Sequence, residues 1–419
     1  MSLQECINYA LENNYTIKQK LLEKESKKVQ LQAAKVNTAP SIGANVGQTF
    51  DFGRAALASA IVENTTQATT NFGIGLNMDV FQGFRNYHQI KSDKLDLEAT
   101  RLDIEAAKEN IELLVTAYYL QILLHKEMLE ILKNQTVLAQ EQVDRISILV
   151  ANGKSSDAEL YVAKATLAQD QLSVVEANNN VRLSILDLAQ LMNFMDVSNF
   201  DIVTENILDP IEEILHTPVN VNHVVENALE YRPAIRAALA RIEHAKRTIK
   251  VYQSGWYPTL GLNASFGTGY FYRFQELASY PNEPFGMQFK NNARTSIGVS
   301  LYVPIFDKLV TLNNVKQRKI SVKIQELHLE ETKRTLIKEI EQAYVNAVAS
   351  KEKYLASQVA HTSSQVAFQY EELKFNAGSS TTYEYNEAKN KFLQSQSKLI
   401  QSKFDFLFRI KILEFYGKY

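Results

Sequence analysis

Seven histidines, one cysteine and 47 carboxylates are the side chains in this 419-residue chain that could cleave a bond, move a proton or hold a metal. Their spacing organises none of that chemistry. His88, His125, His216, His223, His244, His328 and His361 follow no metal-ligand pattern, and there is no H-E-x-x-H, no G-x-S-x-G and no P-loop. Cys6, being alone, excludes an intrachain disulfide and a cysteine-built metal site. It lies on the side of Ile7 and Ala10 in a helical pattern and reads as a buried small residue. The chain is therefore read as a non-enzyme, with no catalytic residue, cofactor or metal. With 45 Lys+Arg against 47 Asp+Glu, the net charge of −2 lacks the basic surplus that phosphate contacts need, so nucleic acid is not an expected partner. Charged residues make up 22% of the chain, and no stretch approaches the ~20 uncharged apolar residues of a spanning helix.

What remains is architecture. Fifteen Gly and eight Pro are roughly half of average usage, so most of the chain must lie in a few long elements. Seventeen of these 23 residues fall in two clusters, Pro40 to Gly83 and Gly255 to Pro304. Between Phe84 and Asp209 only Gly153 interrupts the chain, and beyond Ile305 only Gly378 and Gly417. The residues repeat as the layout does. Ala10-Leu11-Glu12-Asn13 recurs as Ala228-Leu229-Glu230-Tyr231, and Pro40-Ser41-Ile42-Gly43-Ala44-Asn45 as Pro258-Thr259-Leu260-Gly261-Leu262-Asn263, both at a shift of 218. Ala151-Asn152-Gly153-Lys154-Ser155-Ser156 answers Asn376-Ala377-Gly378-Ser379-Ser380-Thr381, and the shift drifts only to about 226. Two tandem copies are expected, 1–195 and 220–419, joined by an equatorial linker 196–219 that contains Pro210 and Pro218.

The two clusters carry period two. Ile42, Ala44, Val46, Phe50 and Phe52 alternate with Ser41, Gly43, Asn45, Gly47, Thr49 and Asp51, and only Gln48 breaks the apolar row. Strands are predicted over about 41–52, 71–81, 259–272 and 293–304. An ordinary sheet with one face on a core is the plain reading. Three details favour a membrane instead. The polar rows are small (Gly, Ser, Asn, Thr) rather than Lys and Glu, and the strand lengths match the ~9 to 11 tilted residues that cross a bilayer. Aromatics (Phe50, Phe52, Phe81, Phe84, Trp256, Tyr257, Tyr270, Phe271, Tyr272) crowd the strand ends like an interfacial girdle. The intervening linkers, Gly53 to Thr70 and Phe274 to Asn292, read as long polar surface loops. Four strands cannot close a barrel, and lipid tolerates no open edge, so transmembrane strands require an oligomer. A dimer would give eight strands with a filled interior, a trimer twelve with a lumen.

The remaining stretches are helical. Residues 84–152 and 308–377 are free of breakers, and at ~1.5 Å per residue each makes a helix of about 100 Å. Ile111, Val115, Tyr118, Ile122, His125, Leu129, Leu132, Thr136, Ala139, Val143, Ile146 and Val150 form an unbroken 4-3 seam, in which His125 reads as packed. Each long helix turns at a glycine and returns, over 156–194 and 381–416.

Helix, strand pair, long helix, glycine turn and returning helix, twice over, resemble the TolC outer-membrane efflux factors. The likeness spans the chain. Its most specific pieces are the opening Leu3-Gln4-Glu5-Cys6-Ile7-Asn8-Tyr9-Ala10-Leu11-Glu12-Asn13-Asn14, the prolines Pro40 and Pro258 ahead of strands, and the turns Val150-Ala151-Asn152-Gly153 and Phe375-Asn376-Ala377-Gly378. The resemblance implies a mainly α fold with β: a homotrimer with a twelve-stranded outer-membrane barrel, four strands per chain, continued by a helical tube in the periplasm. It implies an exit duct for a tripartite efflux or type I secretion system, in outer-membrane lipid, working with a periplasmic adaptor and an inner-membrane pump of RND or ABC type. The adaptor-docking tip would comprise Val150, Ala151, Asn152, Gly153 and Ser155 with Phe375, Asn376, Ala377, Gly378, Ser379 and Ser380. Acidic rings that constrict the tip would fall at Glu384 and Glu387, six and nine residues past the second glycine, and at Glu159 with Asp157 after the first; three copies of each would favour cations. Ser380 stands where a gate-locking arginine would sit, which argues against a latch of that kind. The opening Met1-Ser2 has no charged n-region or apolar h-region, so the signal peptide of an outer-membrane protein is expected to have been removed. The alternative function is a soluble periplasmic coiled-coil scaffold or adaptor, distinguished by partition between membrane and soluble fractions.

Overall fold

Each repeat opens on a helix that is broken at the same place. The computed structural model describes residues 1–56, 62–203, 220–274 and 281–417. The first copy runs α1 (Leu3–Asn13), α2 (Tyr15–Val36), β1 (Ser41–Ala56), β2 (Val62–Gln82), α3 (Arg85–Ala151) and α4 (Asp157–Met192). The second runs α5 (Val221–Tyr231), α6 (Pro233–Gln253), β3 (Thr259–Arg273), α7 (Phe285–Asn291), β4 (Arg294–Tyr302), α8 (Val310–Asn376) and α9 (Thr382–Gly417). Asn14 and Arg232, 218 residues apart, cap α1 and α5 with ψ of 133° and 134° and are both buried. Asn14 also turns its Oδ1 to the Thr16 N–H (2.8 Å) and its amide to Leu191 O (2.7 Å), whereas Arg232 is followed by Pro233, suited to a first helical position. The long and returning helices end within two residues of the sequence expectation.

The loops differ from that expectation. The linker Gly53 to Thr70 is mostly ladder, since β1 pairs with β2 as far out as Ala56↔Val62. Its threonines are β-branched and suit a strand, but being polar on both faces they hide the alternation. Within Phe274 to Asn292 the chain forms α7. The linker 196–219 lies partly outside the described residues; Phe200 and Ile202, in its described part, are core.

The described chain forms two compact units, each drawing on both repeats. The first comprises Met1–Glu23, Thr100–Ala238 and His328–Tyr419. Its core joins Cys6, Ile7, Ala10 and Ile17 to Val115, Tyr119 and Ile122 of α3, Leu188 and Met192 of α4, and Phe404 and Leu407 of α9. Every residue of the predicted seam from Ile111 to Val150 is buried or half-buried. Towards the turn, α3 packs on α4 through Leu129 with Ala177 and Val181, then through Val143 and Ile146 with Ala163. His125 is the packed histidine expected, its Nδ1 3.0 Å from Ser184 Oγ.

The second unit, Lys24–Ala99 and Leu239–Leu327, contains an antiparallel sheet in the order β1-β2-β3-β4. Both strand-to-helix junctions take two consecutive left-handed residues: Gly83 and Phe84 (φ 59° and 64°), then Lys308 and Leu309 (φ 56° and 64°). A Cβ on Gly83 would lie 2.6 Å from Ser254 O, so close approach as well as φ demands glycine there. The second copy makes the same turn without one.

Candidate functional site

Two places collect the residues singled out from sequence, one in each unit. In the sheet, cross-strand register sorts most of the alternating residues onto two faces, with a bulge between Asp79 and Phe81 that replaces Val80 by Phe81 in the apolar rows. Ile42, Leu76, Ala264 and Ile297 share a row, as do Ala44, Ile74, Phe266 and Thr295, and Met78, Leu262 and Val299. This face is exposed: Ile297 at 76%, Ile42 at 72% and Val299 at 69%. The opposite face carries Ser41, Asn77, Asn263 and Gly298 in one row, Gly43, Gly75, Ser265 and Ser296 in the next, then Asn45, Gly73, Gly267 and Arg294. Three of its asparagines, Asn45, Asn71 and Asn263, lie across glycines of the neighbouring strand. A Cβ on Gly73 would stand 2.6 Å from Asn45 Oδ1, on Gly269 3.0 Å from Asn71 Oδ1, and on Gly298 3.0 Å from Asn263 Oδ1. The glycines let polar side chains lie flat, leaving the face smooth and wettable. Pairing of this kind needs register, which sequence alone does not supply.

The girdle aromatics separate into two sets. Phe81 meets Phe84 edge to face at 5.2 Å near the strand-to-helix junction, where Trp256 and Tyr257 precede β3. Tyr270 and Tyr272 lie near the far end of β3. Phe50 and Phe52 are not at a strand end as expected but inside β1, because β1 continues to Ala56; Phe50 shares a row with Ala68 and Tyr272.

In the first unit the two glycine turns are copies of one motif. Gly153 (φ 65°) donates to Val150 O at 2.9 Å and Lys154 to Leu149 O at 2.8 Å; Gly378 (φ 75°) donates to Phe375 O at 3.1 Å and Ser379 to Lys374 O at 2.9 Å. This is the Schellman pattern, which needs a left-handed residue. Asn152 and Ser379 side chains bond back to Ile148 O (2.7 Å) and Lys374 O (3.1 Å). Val150 packs on the Val143–Ile146 cluster, and Ala151 and Ala377 flank the two turns.

The acidic residues past each turn have a local task. Thr381 Oγ1 accepts the Glu384 N–H at 3.2 Å, while the Glu384 carboxylate accepts the Thr381 N–H at 2.9 Å and its hydroxyl at 2.8 Å. Ser156 accepts the Glu159 N–H at 3.3 Å, and the Ser155 hydroxyl donates to the Glu159 carboxylate. Both are S/T-x-x-E helix starts, a capping signal present in the sequence but not used in reading it. The Thr381 amide, then the Thr381 and Ser380 hydroxyls, hold the Glu384 carboxyl below its ordinary pKa. Glu387 pairs with Lys391 at 2.7 Å, and Asp157 occupies the first turn of α4. The Ser380 hydroxyl lies within hydrogen-bond reach of both the Glu371 and the Glu384 carboxylates.

Sequence reading missed the cation here. Arg145 of α3 bonds the Asn376 side chain and stands 5.0 Å from the Phe375 ring, so it ties α3 to the second turn. Phe375 stacks on Tyr385 (4.7 Å), Tyr385 meets Phe368, and Phe368 stacks on Phe392 (5.5 Å). The i, i+7 spacing of Phe368 with Phe375, and of Tyr385 with Phe392, was the available signal. Deeper between the helices, Asp170 and Lys389 are both buried, with Gln135 donating to Asp170 at 2.6 Å. Burial raises the Asp170 pKa and lowers that of Lys389, each opposed by the other's charge. Among the described residues no group of His, Cys, Asp and Glu could hold a metal.

The family model described as outer membrane efflux protein matches residues 6–193 and 224–406, one segment per repeat. The outer membrane efflux protein BepC of Brucella suis is 20% identical over 339 residues, covering 81% of this chain and 70% of that protein. The toxin and drug export protein A of Aggregatibacter actinomycetemcomitans is 23% identical, covering 75% of this chain and 64% of that protein. The crystal structure of the Campylobacter jejuni CmeC outer membrane channel superposes with a TM-score of 0.80 at 18% identity, over 99% of this chain and 85% of that one. A likeness at that identity fixes the fold.

Proposed function

The chain belongs to the outer membrane efflux protein family and is an outer-membrane channel of it, and on that premise we propose that three copies close into a twelve-stranded passive exit duct. The observation that carries this reading is the two-faced sheet. Its large apolar side chains are exposed on one face, its Gly, Ser and Asn line the other, and its outer strands β1 and β4 are paired on one side only. Exposed in water, such a face is an aggregation hazard; in lipid it is a solvent match. A soluble scaffold gives the apolar rows nothing to touch.

The two Schellman turns form the end that meets an adaptor, which an inner-membrane pump would supply with cargo. Three copies of Glu384 and Glu387 narrow and charge that end. The Thr381 amide and hydroxyl hold the Glu384 carboxyl below its ordinary pKa, which suits a cation-favouring constriction. A lining of small polar residues exerts little choice of cargo, so selection falls to the pump.

The test is reconstitution of the full chain in planar bilayers. Discrete, cation-selective conductance is expected, and Glu384→Gln with Glu387→Gln should shift the reversal potential towards neutrality. A chain recovered wholly as soluble monomer without detergent would sink the duct reading, and unchanged selectivity would remove the two glutamates from the constriction.

A further inference from the structure

The apolar face of the sheet is interrupted by a polar row near its outer end. After the row of Val46, Phe72 and Thr268 comes that of Gln48, Thr70 and Tyr270, in which the Thr70 hydroxyl bonds Gln48, and beyond it the aromatic row of Phe50, Ala68 and Tyr272. From the row of Phe81, Leu260 and Leu301 to that of Phe72 the band is five rows deep. At ~3.4 Å per residue and ~40° of tilt this is about 20 Å of height, close to the ~25 Å apolar belt of an outer-membrane barrel.

At that boundary sits α7. Its Phe285 meets Phe72 (6.4 Å) and Tyr270 (5.3 Å), and its Phe289 meets Phe72 (5.7 Å). Phe72 and Tyr270 belong to the apolar side of the sheet, so α7 lies on the side that faces lipid, at the end away from the strand-to-helix junctions. Three side-chain amides hold it there. The β3–β4 ladder stops at Gly267↔Arg294, which leaves the edge of β3 open beyond it. Asn292 donates to Gly269 O (2.7 Å). Gln288 donates to Phe271 O and accepts the Phe271 N–H (both 3.0 Å), and Asn282 does the same for Arg273 (2.8 and 2.9 Å). The amides replace a missing strand, and Gln288 is 1% exposed.

Although it packs on the sheet, α7 keeps Phe285 at 50%, Met287 at 53% and Phe289 at 38% exposure. We propose that α7 is a membrane-surface anchor whose Phe285, Met287 and Phe289 seat in the acyl–headgroup boundary of the outer leaflet; this rests on the channel reading above. An aromatic and thioether surface continuous with a lipid-facing band has its best solvent there. A neighbouring copy would add its strand along the edge of β4, in the plane of the sheet, whereas these side chains stand on its face.

The test uses the full chain in vesicles of phosphatidylcholine and phosphatidylglycerol, with a nitroxide on Met287→Cys. Cys6 does not compete, because it is fully buried and burial pushes its thiol up to about 11. Val299→Cys, within the band, and Glu283→Cys, exposed on the same connection, are the lipid and water references. The ratio of oxygen to nickel-chelate accessibility at 287 is expected to be severalfold above that at 283 and below that at 299. A value equal to 283, or closure to both reagents as a covering second copy would give, overturns the anchor. A water-accessible 299 overturns the channel reading itself. Met287→Trp, read as the difference from native protein in quenching by lipid brominated near the headgroup, decides the same point without a label: enhanced quenching is expected, and none refutes it.

Discussion

Arg145 ties the long helix α3 to the second glycine turn. Its guanidinium over Phe375 is a cation–π contact at a partly exposed site, where ~0.5–1 kcal/mol is usual. Arg145→Ala should therefore raise the open fraction of single channels about two- to fivefold, with trimer yield unchanged; an unaltered open fraction would separate this contact from gating. Glu384 sets a second expectation. Its carboxyl is held below its ordinary pKa by the Thr381 amide, so the stabilisation is complete above the ordinary carboxylate value of ~4.3 and is lost as pH falls through the depressed one. Amide-exchange protection over residues 378–386, corrected for intrinsic rates, should fall between pH 5 and 3. Glu384→Gln keeps an acceptor without a charge and should abolish that pH step.

At the scale of elements, the junctions between sheet and long helix carry the least visible feature. Gly83 announces the first left-handed turn, but Lys308 and Leu309 make the second with Cβ atoms present. A non-glycine residue held there costs roughly 1–2 kcal/mol, so Lys308→Gly should raise the temperature of trimer dissociation on gels, and a fall would mean that the lysine side chain anchors the turn. This contrast shows what the sequence could convey. Helix ends, the seam and the duplication are local patterns, and Gly153 and Gly378 mark their turns because φ is positive there. The outer part of β2 is hidden because its threonines carry no hydrophobic alternation, and the end of β1, Gly53 to Ala56, adds none. The contact of Arg145 and the Asn-on-Gly pairs join residues on different elements, as do the amides of Asn282 and Gln288 with the edge of β3, and no periodicity encodes them.

For the whole molecule, the proposed ring joins unequal edges. β1 offers 16 residues and β4 only 9, and α7 and its amides occupy the edge of β3 beyond β4. Identical β4-to-β1 seams are heterologous contacts, which form a ring when the rotation closes. With strands ~4.8 Å apart and tilted by ~40°, twelve give a backbone radius of about 12 Å. The small polar face then decides conductance. Gly43 and Gly75 lie opposite each other in a row with Ser265 and Ser296, and a Cβ on either meets nothing within 4 Å. Gly75→Tyr should thus fold and insert normally while three rings enter the lumen and cut single-channel conductance by roughly half. Gly73→Ala, which must displace Asn45, should instead reduce trimer yield before it changes conductance. Normal conductance in Gly75→Tyr trimers would mean that this face does not line the pore, because the same substitution on a lipid-facing row leaves the lumen untouched.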